Sequence, residues 1–285
     1  MSGLLLGGRE LAAAIRAETA QRAALLTAAG TPPQLTVVVA TDDEASAWYV
    51  RSISTAAVKI GINCAVVELG ADADVATVRA TLDRLSADES VHGIILQTPL
   101  PAGARLEDLA GAIAVEKDVD GANPLSLGRL AAGLPAYAPA TAAAVLAILD
   151  HHGVELAGRR AAVIGRSTVV GKPVAHLLLD RHATVTVCHS RTPDLAGVTS
   201  TADVLVAAVG RAGLVTAEHV KRGAVVVDVG TNPTPDGGLV GDVDAESVAE
   251  HAAGLTPVPG GVGPVTTALL LDHTVRAAAT QVGVV

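Results

Sequence analysis

A β-α-β pattern between residues 161 and 191 constrains the fold of this chain more than any other stretch. Residues 161–164 form a short apolar run, which is typical of a buried parallel strand. A turn from Gly165 to Gly171 follows, and Pro173 lies in the first turn of a predicted helix, where no backbone N–H is needed. Residues 183–188 predict a second strand. We therefore expect a helix that crosses over between two parallel strands.

The turn at Gly165 is suited to a phosphate. A glycine-bearing turn between a strand and a helix N-terminus allows close backbone approach, and it offers free N–H donors and a favourable dipole end. Its spacing differs from the G-x-G-x-x-G pattern of dinucleotide-binding units. Two interpretations therefore stand side by side: a nucleotide-phosphate turn, and a plain crossover in an α/β sheet.

The end of the second predicted strand indicates which cofactor would bind. In NAD-binding units an acidic residue there holds the ribose 2′-hydroxyl, whereas a nearby Arg accommodates a 2′-phosphate. Here Ser190 and Arg191 follow the strand, no carboxylate precedes Asp194, and Arg166 lies in the phosphate turn. Guanidinium groups and a hydroxyl suit a phosphate dianion, so the sequence predicts NADP in preference to NAD. The alternative is that Arg191 is a solvated surface charge.

Length and composition narrow the class of protein. A chain of 285 residues suits two domains more easily than one. A net charge of −9 without a long basic run argues against a nucleic-acid partner. Cys64 and Cys188 lie far apart and predict free thiols in a reducing compartment. Because the sequence shows neither a signal h-region nor an 18-residue apolar stretch, we expect a cytoplasmic protein with no membrane partner.

Strands and helices also alternate before residue 161, which predicts a further parallel sheet. Functional residues in such sheets lie where the strands end. Gln97 directly follows one predicted strand, and its amide both donates and accepts hydrogen bonds. The charged cluster at 116–121 is, by itself, more typical of a solvated loop. The predicted strands are 35–40, 64–69 and 93–96, later 202–207 and 224–229; the predicted helices are 8–29, 45–60, 74–85, 141–151 and 266–280.

Taken together, these stretches resemble the methylene-tetrahydrofolate dehydrogenase/cyclohydrolase family. Two motifs are the most specific: Lys-Asp-Val-Asp-Gly at 117–121, and the Pro/Gly-rich loop Thr-Pro-Val-Pro-Gly-Gly-Val-Gly-Pro at 256–264. The matching blocks follow the family's order across nearly the whole chain. They are residues 46–51, 93–101, 117–121, 165–173, 183–192, 223–230 and 256–267.

The resemblance implies an α/β fold of two domains: an N-terminal three-layer catalytic domain that binds folate, and a C-terminal Rossmann-type NADP-binding domain. The expected boundaries are 1–138, completed by a C-terminal helix at 267–285, and 139–266. It further implies a tetrahydrofolate one-carbon substrate, NADP as cofactor, no metal ion and a homodimer formed through the nucleotide domain.

Family roles transfer to matching positions of this sequence. The resemblance implies that Tyr49 contacts the folate at the reacting carbon, that Gln97 is the active-site glutamine, and that Asp120 holds the pterin. A carboxylate suits that last role because the aminopyrimidinone edge offers two parallel N–H donors. The loop residues Gly260, Gly261 and Pro264 are implied to contact the substrate. The implied cofactor contacts are Gly165, Arg166, Ser167, Ser190 and Thr231, beside the predicted Arg191; Thr231 stands where the family usually has Ile.

One departure concerns the catalytic helix. The family has Lys four residues after the tyrosine, on the same helix face, and this chain has Ile53 there. Neither Arg51 nor Lys59 replaces the missing cation, because their spacing from Tyr49 points them elsewhere. A second departure, Pro-Ala-Thr-Ala at 139–142 for Pro-Cys-Thr-Pro, predicts only a structural difference.

The missing lysine affects two half-reactions unequally. Hydride transfer from a carbon between two nitrogens mainly needs orientation against the nicotinamide. Hydrolysis of the methenyl cation needs a positioned acid/base, which Ile53 cannot supply. We therefore expect an NADP-dependent dehydrogenase with weak or absent cyclohydrolase activity. The alternatives are a fully bifunctional enzyme, an enzyme for a non-folate one-carbon adduct, and a non-catalytic protein that binds NADP or folate.

Overall fold

The computed structural model describes residues 4–283, and it divides them into two compact units. The unit that we call the three-stranded unit contains residues 13–140 and 267–283. The other, the six-stranded unit, contains residues 4–12 and Thr141–Thr266. The strands are β1 (Leu4–Leu5), β2 (Gln34–Val39), β3 (Asn63–Glu68), β4 (Gly93–Leu96), β5 (Arg160–Ile164), β6 (Thr184–Cys188), β7 (Val204–Ala207), β8 (Val225–Asp228), β9 (Asn232–Pro233), β10 (Leu239–Val240) and β11 (Gly254–Leu255). The helices are α1 (Arg9–Ala28), α2 (Glu44–Lys59), α3 (Val75–Ala87), α4 (Leu106–Ala110), α5 (Pro124–Ala131), α6 (Ala140–His151), α7 (Gly171–Asp180), α8 (Leu195–Thr199), α9 (Ala245–Val248) and α10 (Val262–Gln281), with a 3-10 turn at Ala217–His219.

The three-stranded unit has three layers. Its parallel sheet has the order β3-β2-β4, and β2 is buried along almost its whole length. Because successive side chains of a strand point to opposite faces, Val37 and Val39 pack with α1, α2 and α10, whereas Val38 packs with α3 and α4. The unbroken apolar run of β2 thus reflects helices on both faces of the sheet.

The six-stranded unit is built on a parallel sheet of order β1-β11-β8-β7-β5-β6. The β-α-β unit predicted from residues 161–191 is β5, α7 and β6, and its predicted bounds agree with the observed ones within two residues. The structure therefore has two α/β units, each built on a parallel sheet, in agreement with the predicted fold class.

The N-terminal segment differs from the predicted boundary. Leu4 and Leu5 form β1, which pairs in parallel with β11 at the edge of the six-stranded sheet. The described residues up to Ala12 consequently group with Thr141–Thr266. A two-residue edge strand carries too little periodicity to be assigned from the sequence.

Capping side chains mark the start of two helices of the three-stranded unit, α2 and α5. Asp43 caps α2 by accepting the N–H of Ser46 at 2.8 Å, and Asn123 caps α5 by accepting the N–H of Leu125 at 2.8 Å. Pro124 then occupies the first position of α5, a helix that was not predicted from the sequence.

Among the described residues, no helix combines the length and the apolar character that a membrane span requires.

Candidate functional site

Helix α2 places Tyr49 on its inward face. Ser46, Val50, Ile53 and Ala57 are the buried residues of this helix, and the half-buried Tyr49 packs against the same core cluster. Burial raises the pKa of the Tyr49 phenol, and the negative charge of Asp120 raises it further. The phenol therefore stays protonated near neutral pH, where it can donate a hydrogen bond, and it lies near Asp120.

The two aspartates at 118 and 120 have different environments. Asp118 is fully buried, and it accepts hydrogen bonds from the N–H groups of Ala122 and Asn123, both at 2.9 Å, and from the Ser126 hydroxyl at 2.6 Å. Asp120 is half-buried, and its carboxyl has no hydrogen-bond partner within residues 4–283. Asp118 therefore holds the loop together, whereas Asp120 is free to bind a ligand.

The carboxyl of Asp120 titrates close to neutrality. Burial, followed by repulsion from Asp118, raises its pKa to about 7. No ion pair with Lys or Arg offsets these effects in the described part of the chain. A cationic or N–H-rich ligand edge would supply the missing partner and favour the ionised form.

Gln97 is held at the end of β4, as the sequence predicted. Its amide Nε2 donates to the Thr98 carbonyl at 2.7 Å, and the Ser46 hydroxyl of α2 donates to the same carbonyl at 2.8 Å. The hydrogen bonds of Thr98 thus connect Gln97 to the helix that carries Tyr49. One N–H and the amide oxygen of Gln97 remain available to a substrate.

Within the described part of the three-stranded unit, neither lysine brings an ammonium group to the position of Ile53. Ile53 is 0% exposed and lies in the apolar core one turn after Tyr49. Lys117 belongs to the same charged motif as Asp120, but its ammonium donates to the Asp88 carbonyl at 2.6 Å. Arg51 and Lys59 lie on the exposed face of α2. The inward face of α2 therefore offers the phenol of Tyr49 without a neighbouring ammonium group.

The turn after β5 in the six-stranded unit can form only with glycine at two positions. Gly165 has a φ of +133°, and a Cβ there would lie 2.2 Å from the Ala208 carbonyl oxygen. A Cβ on Gly171 would lie 2.2 Å from the Gly165 carbonyl oxygen. Such a cradle lets a ligand approach the backbone closely, so the turn fits the pyrophosphate of a dinucleotide.

Polar side chains at this turn and after β6 are positioned for a phosphate. The Ser167 hydroxyl accepts the N–H of Val170 at 3.1 Å, which leaves its own O–H free to donate. Arg166, Ser190 and Arg191 are exposed, and neither arginine forms an ion pair among residues 4–283. These residues would hold the phosphates of NADP, including its 2′-phosphate.

Two buried aspartates of the six-stranded unit were not predicted from the sequence. Asp242 accepts the N–H groups of Val209, Gly210 and Arg211 at 2.6, 3.0 and 2.8 Å, and it also accepts Nδ2 of Asn232. Asp228, at the end of β8, accepts the N–H of Asp242 at 2.9 Å. Together they fix the loops after β7 and β8, and the latter carries the exposed Thr231. Their only sequence signal is a carboxylate at a strand end and a Gly-Asp-Val-Asp segment.

Asp242→Asn should destabilise the six-stranded unit and loosen the loop at residues 209–211. All four groups that contact Asp242 are donors, so an amide NH₂ would face donors in either orientation. We expect the free energy of unfolding to fall by about 2–4 kcal/mol, with a higher KM for NADP. Urea unfolding and initial rates measure both. The matched control is Asp244→Asn, because Asp244 is the N-cap of α9, where Asn serves equally well. Equal losses in both variants would contradict this role of Asp242.

The Pro/Gly-rich loop is tied to its own unit at both ends. Thr256 accepts the N–H of Asp228 at 2.7 Å, and the carbonyl of Gly260 accepts the N–H of Gly8 at 2.9 Å. A Cβ on Gly8 would lie 2.1 Å from the Gly261 carbonyl oxygen, so this position requires glycine. Pro264 lies in the first turn of α10. These contacts hold both ends of the loop within the six-stranded unit.

The predicted site residues thus form two groups. Tyr49, Gln97 and Asp120 belong to the three-stranded unit, where shared hydrogen bonds and electrostatics connect them. The predicted cofactor residues and the loop at 256–264 belong to the six-stranded unit. The first group offers a phenol, an amide and a free carboxyl, and the second offers a phosphate cradle.

Comparisons with known proteins assign the two groups of residues to two different domain models. Residues 6–120 match the model of the tetrahydrofolate dehydrogenase/cyclohydrolase catalytic domain, and residues 139–282 match that of the family's NAD(P)-binding domain. The protein named bifunctional protein FolD 1 in Saccharopolyspora erythraea is 71% identical over 273 residues, which cover 96% of this chain and 93% of that protein.

Solved structures are similar over the same length. The bifunctional methylenetetrahydrofolate dehydrogenase/cyclohydrolase FolD of Campylobacter jejuni has a TM-score of 0.95 at 39% identity, covering 98% of this chain and 99% of its own. The FolD enzyme of Trypanosoma brucei, solved with NADP and an inhibitor, has a TM-score of 0.94 at 38% identity, with 99% of each chain covered.

The two domain models match in the order that the sequence motifs predicted, and the similarity extends across nearly the whole chain. The resemblance inferred from the motifs at 117–121 and 256–264 is therefore confirmed. The chain belongs to the tetrahydrofolate dehydrogenase/cyclohydrolase family.

Proposed function

We propose that this protein oxidises methylene-tetrahydrofolate to methenyl-tetrahydrofolate with NADP, and that its cyclohydrolase activity is weak or absent. The dehydrogenase part follows from family membership and from the NAD(P)-binding domain at 139–282. The weak hydrolysis rests on one observation: Ile53, one turn from Tyr49, is buried in the core and brings no ionisable group to the site.

NADP supplies the hydride acceptor when it is bound. The chain's part in this half-reaction is to bind and orient. In our proposal Asp120 accepts two N–H groups of the pterin edge, and Gln97 uses its free amide atoms to position the folate. Tyr49, which remains protonated, donates a hydrogen bond or packs against the reacting part of the folate. None of these roles requires removal of a proton during hydride transfer.

Hydrolysis of the methenyl cation makes a different demand. A water must be activated, and protons must move between oxygen and nitrogen, which requires a positioned group with a pKa near neutrality. The Tyr49 phenol has a pKa well above its ordinary range because of burial and Asp120, so it is a poor base. Loss of an acid/base group typically lowers a rate about 10²–10⁴-fold.

The second candidate is a fully bifunctional enzyme. It is favoured by the bifunctional name of the 71% identical relative, and by Asp120, whose pKa of about 7 suits proton transfer. If Asp120 served both as pterin anchor and as base, hydrolysis would persist without a lysine. A non-catalytic protein that only binds NADP or folate is the remaining alternative.

One assay tests the proposal. NADP reduction is followed at fixed methylene-tetrahydrofolate, and the decay of added methenyl-tetrahydrofolate is followed separately on the same protein. NADP reduction without enzyme-dependent decay supports the proposal, decay at a comparable rate supports the bifunctional enzyme, and neither activity indicates a binding protein.

Cofactor preference gives a separate prediction. We expect a higher kcat/KM with NADP than with NAD, because Arg166, Ser190 and Arg191 provide cationic and hydroxyl groups without a competing carboxylate. Arg166→Ala should lower kcat/KM for NADP about 10-fold or more, and that for NAD much less, since only NADP loses a charge-assisted contact. Initial rates with both cofactors measure this. An equal loss for the two cofactors would assign Arg166 to the shared pyrophosphate.

We also propose a homodimer formed through the six-stranded unit. Strand β6 is an edge of its sheet, and Val187 on this strand is exposed, so the edge offers an unpaired ladder to a second copy. Sedimentation of the protein across concentrations tests this proposal, and a strictly monomeric mass would contradict it.

A further inference from the structure

A groove on the outer surface of the three-stranded unit has no part in the proposed reaction. It has a volume of about 580 Å³, which is within the usual range for small-molecule sites. It is formed between α1 and α2, and it is open to solvent. Its lining residues are Arg16, Trp48, Arg51, Ser52, Thr55, Ala56, Lys59 and Ile60.

Most of this lining comes from one exposed face of α2. Five exposed residues recur at helical spacing on this face: Trp48, Arg51, Ser52, Thr55 and Lys59. At 3.6 residues per turn, this face lies roughly opposite the buried face that contains Val50 and Ile53. The groove is therefore distinct from the site at Tyr49.

The groove combines an exposed indole with cations. Trp48 is the only tryptophan of the chain, and it is 63% exposed, although a large aromatic ring favours burial. Arg16, Arg51 and Lys59 form no ion pair or side-chain hydrogen bond among residues 4–283. No acidic side chain lines the groove, although the chain has a net charge of −9.

We propose that this groove binds a nucleoside polyphosphate. The flat face of Trp48 can stack on a base, and stacking on an aromatic side chain needs no particular base. Arg16, Arg51 and Lys59 supply the positive charge that a polyphosphate requires, and Ser52 and Thr55 supply hydroxyl donors. Arg51 lies one turn from Trp48, and Lys59 lies 11 residues from Trp48, about 16 Å along the helix axis, so the phosphates would extend from the stacked base past Arg51 towards Lys59.

An acidic peptide is the competing occupant of a cationic groove. The exposed indole favours the nucleotide, because a carboxylate chain makes no use of a stacking surface, whereas a base does. The limited volume also suits a small molecule. The nucleotide and the peptide therefore differ in whether Trp48 contributes to the affinity.

The position of Trp48 provides a direct measurement. Because the chain has a single tryptophan, its fluorescence reports on this groove. We expect ATP to quench it at physiological ionic strength. Tripolyphosphate should bind more weakly than ATP because it lacks the base that stacks on Trp48. Adenosine should bind weakest because it lacks the phosphates that the cations bind. Poly-glutamate is the peptide probe.

Two groove variants and two control variants locate the binding. Arg16→Gln combined with Arg51→Gln should weaken ATP binding at least 10-fold, and Trp48→Ala, measured by calorimetry, should weaken it roughly 5- to 150-fold. The matched control is Arg84→Gln, an exposed arginine on α3 that should leave binding unchanged. Arg166→Ala should also leave the quenching unchanged, because this substitution weakens only ATP that binds at the turn after β5. The KM for NADP in the groove variants reports on whether the rest of the chain is intact.

The outcomes separate cleanly. Quenching that is lost in the groove variants and kept in Arg84→Gln and Arg166→Ala supports the proposal. It is overturned if millimolar ATP leaves Trp48 unquenched, if the groove variants bind ATP normally, if tripolyphosphate binds as tightly as ATP, or if poly-glutamate binds and ATP does not.

Discussion

Purified protein is expected to reduce NADP with methylene-tetrahydrofolate and to accumulate methenyl-tetrahydrofolate instead of converting it to the formyl form. The reason is the missing acid/base group: Ile53 is fully buried beside Tyr49, and Lys117 is engaged by the Asp88 carbonyl. Enzyme-dependent hydrolysis should be slower than NADP reduction by about 10²-fold or more. The measurement is the decay of added methenyl-tetrahydrofolate, corrected for its spontaneous hydrolysis. An enzyme-dependent rate equal to the dehydrogenase rate would refute the monofunctional proposal.

Ile53→Lys tests the same proposal by adding an ammonium group beside Tyr49. The new ammonium should restore part of the hydrolysis if it reaches the space beside Tyr49, where desolvation would lower its pKa towards neutrality. Because Ile53 is 0% exposed, the substitution should also lower the free energy of unfolding by several kcal/mol. Ile53→Met is the matched control, since it has a similar length and no charge. Hydrolysis that rises equally in both variants would show that loosened packing, and not the ammonium, is responsible.

Asp120→Asn is expected to raise the KM for folate about 10- to 100-fold and to leave NADP binding nearly unchanged. The free carboxyl of Asp120 is the group proposed to accept the pterin N–H donors, whereas the cofactor residues lie in the six-stranded unit. Asp118→Asn is the contrasting variant. It replaces a buried acceptor of three hydrogen bonds, so it should mainly lower stability. If Asp120→Asn weakened both ligands alike in calorimetry, Asp120 would be a structural residue of its loop.

The pKa of Asp120 also predicts how folate binding and stability vary with pH. With a folded-state pKa of about 7 and an ordinary value of 3.8, the folded protein binds more protons than the unfolded chain between these values. The contribution of this group to the free energy of unfolding therefore falls as pH rises from about 4 to 7. Asp120→Asn removes that slope and should be about 1–3 kcal/mol more stable than the wild type at pH 8. The folate KM of the wild type should rise as pH falls below 7, and that of Asp120→Asn should not.

Much of the candidate site was predictable because its signals are local. The β-α-β unit at 161–191 is visible from an apolar run, a glycine turn and a proline at a helix start, each a matter of neighbouring residues. Gln97 was placed correctly at a strand end by the same reasoning. The charged cluster at 116–121, in contrast, is typical of a solvated loop when considered by itself. Only the family motif drew attention to Asp120.

The sequence alone determined the alternation of strands and helices and the family. A preference for NADP over NAD, and Ile53 at the place of a family lysine, are predictions from the sequence. These follow from residue identity and short-range spacing.

Tertiary structure decided which carboxyl is free. Asp118 and Asp120 differ by two positions in the chain, yet only folding buries one among three donors and leaves the other without a hydrogen-bond partner in the described residues. The tertiary structure likewise brings Asp228 within hydrogen-bond distance of Asp242, which lies 14 residues later in the chain. It also exposes the face of α2 that carries Trp48 and buries the face that carries Ile53. Burial and long-range hydrogen bonding depend on how distant segments pack, and that information is absent from local sequence pattern.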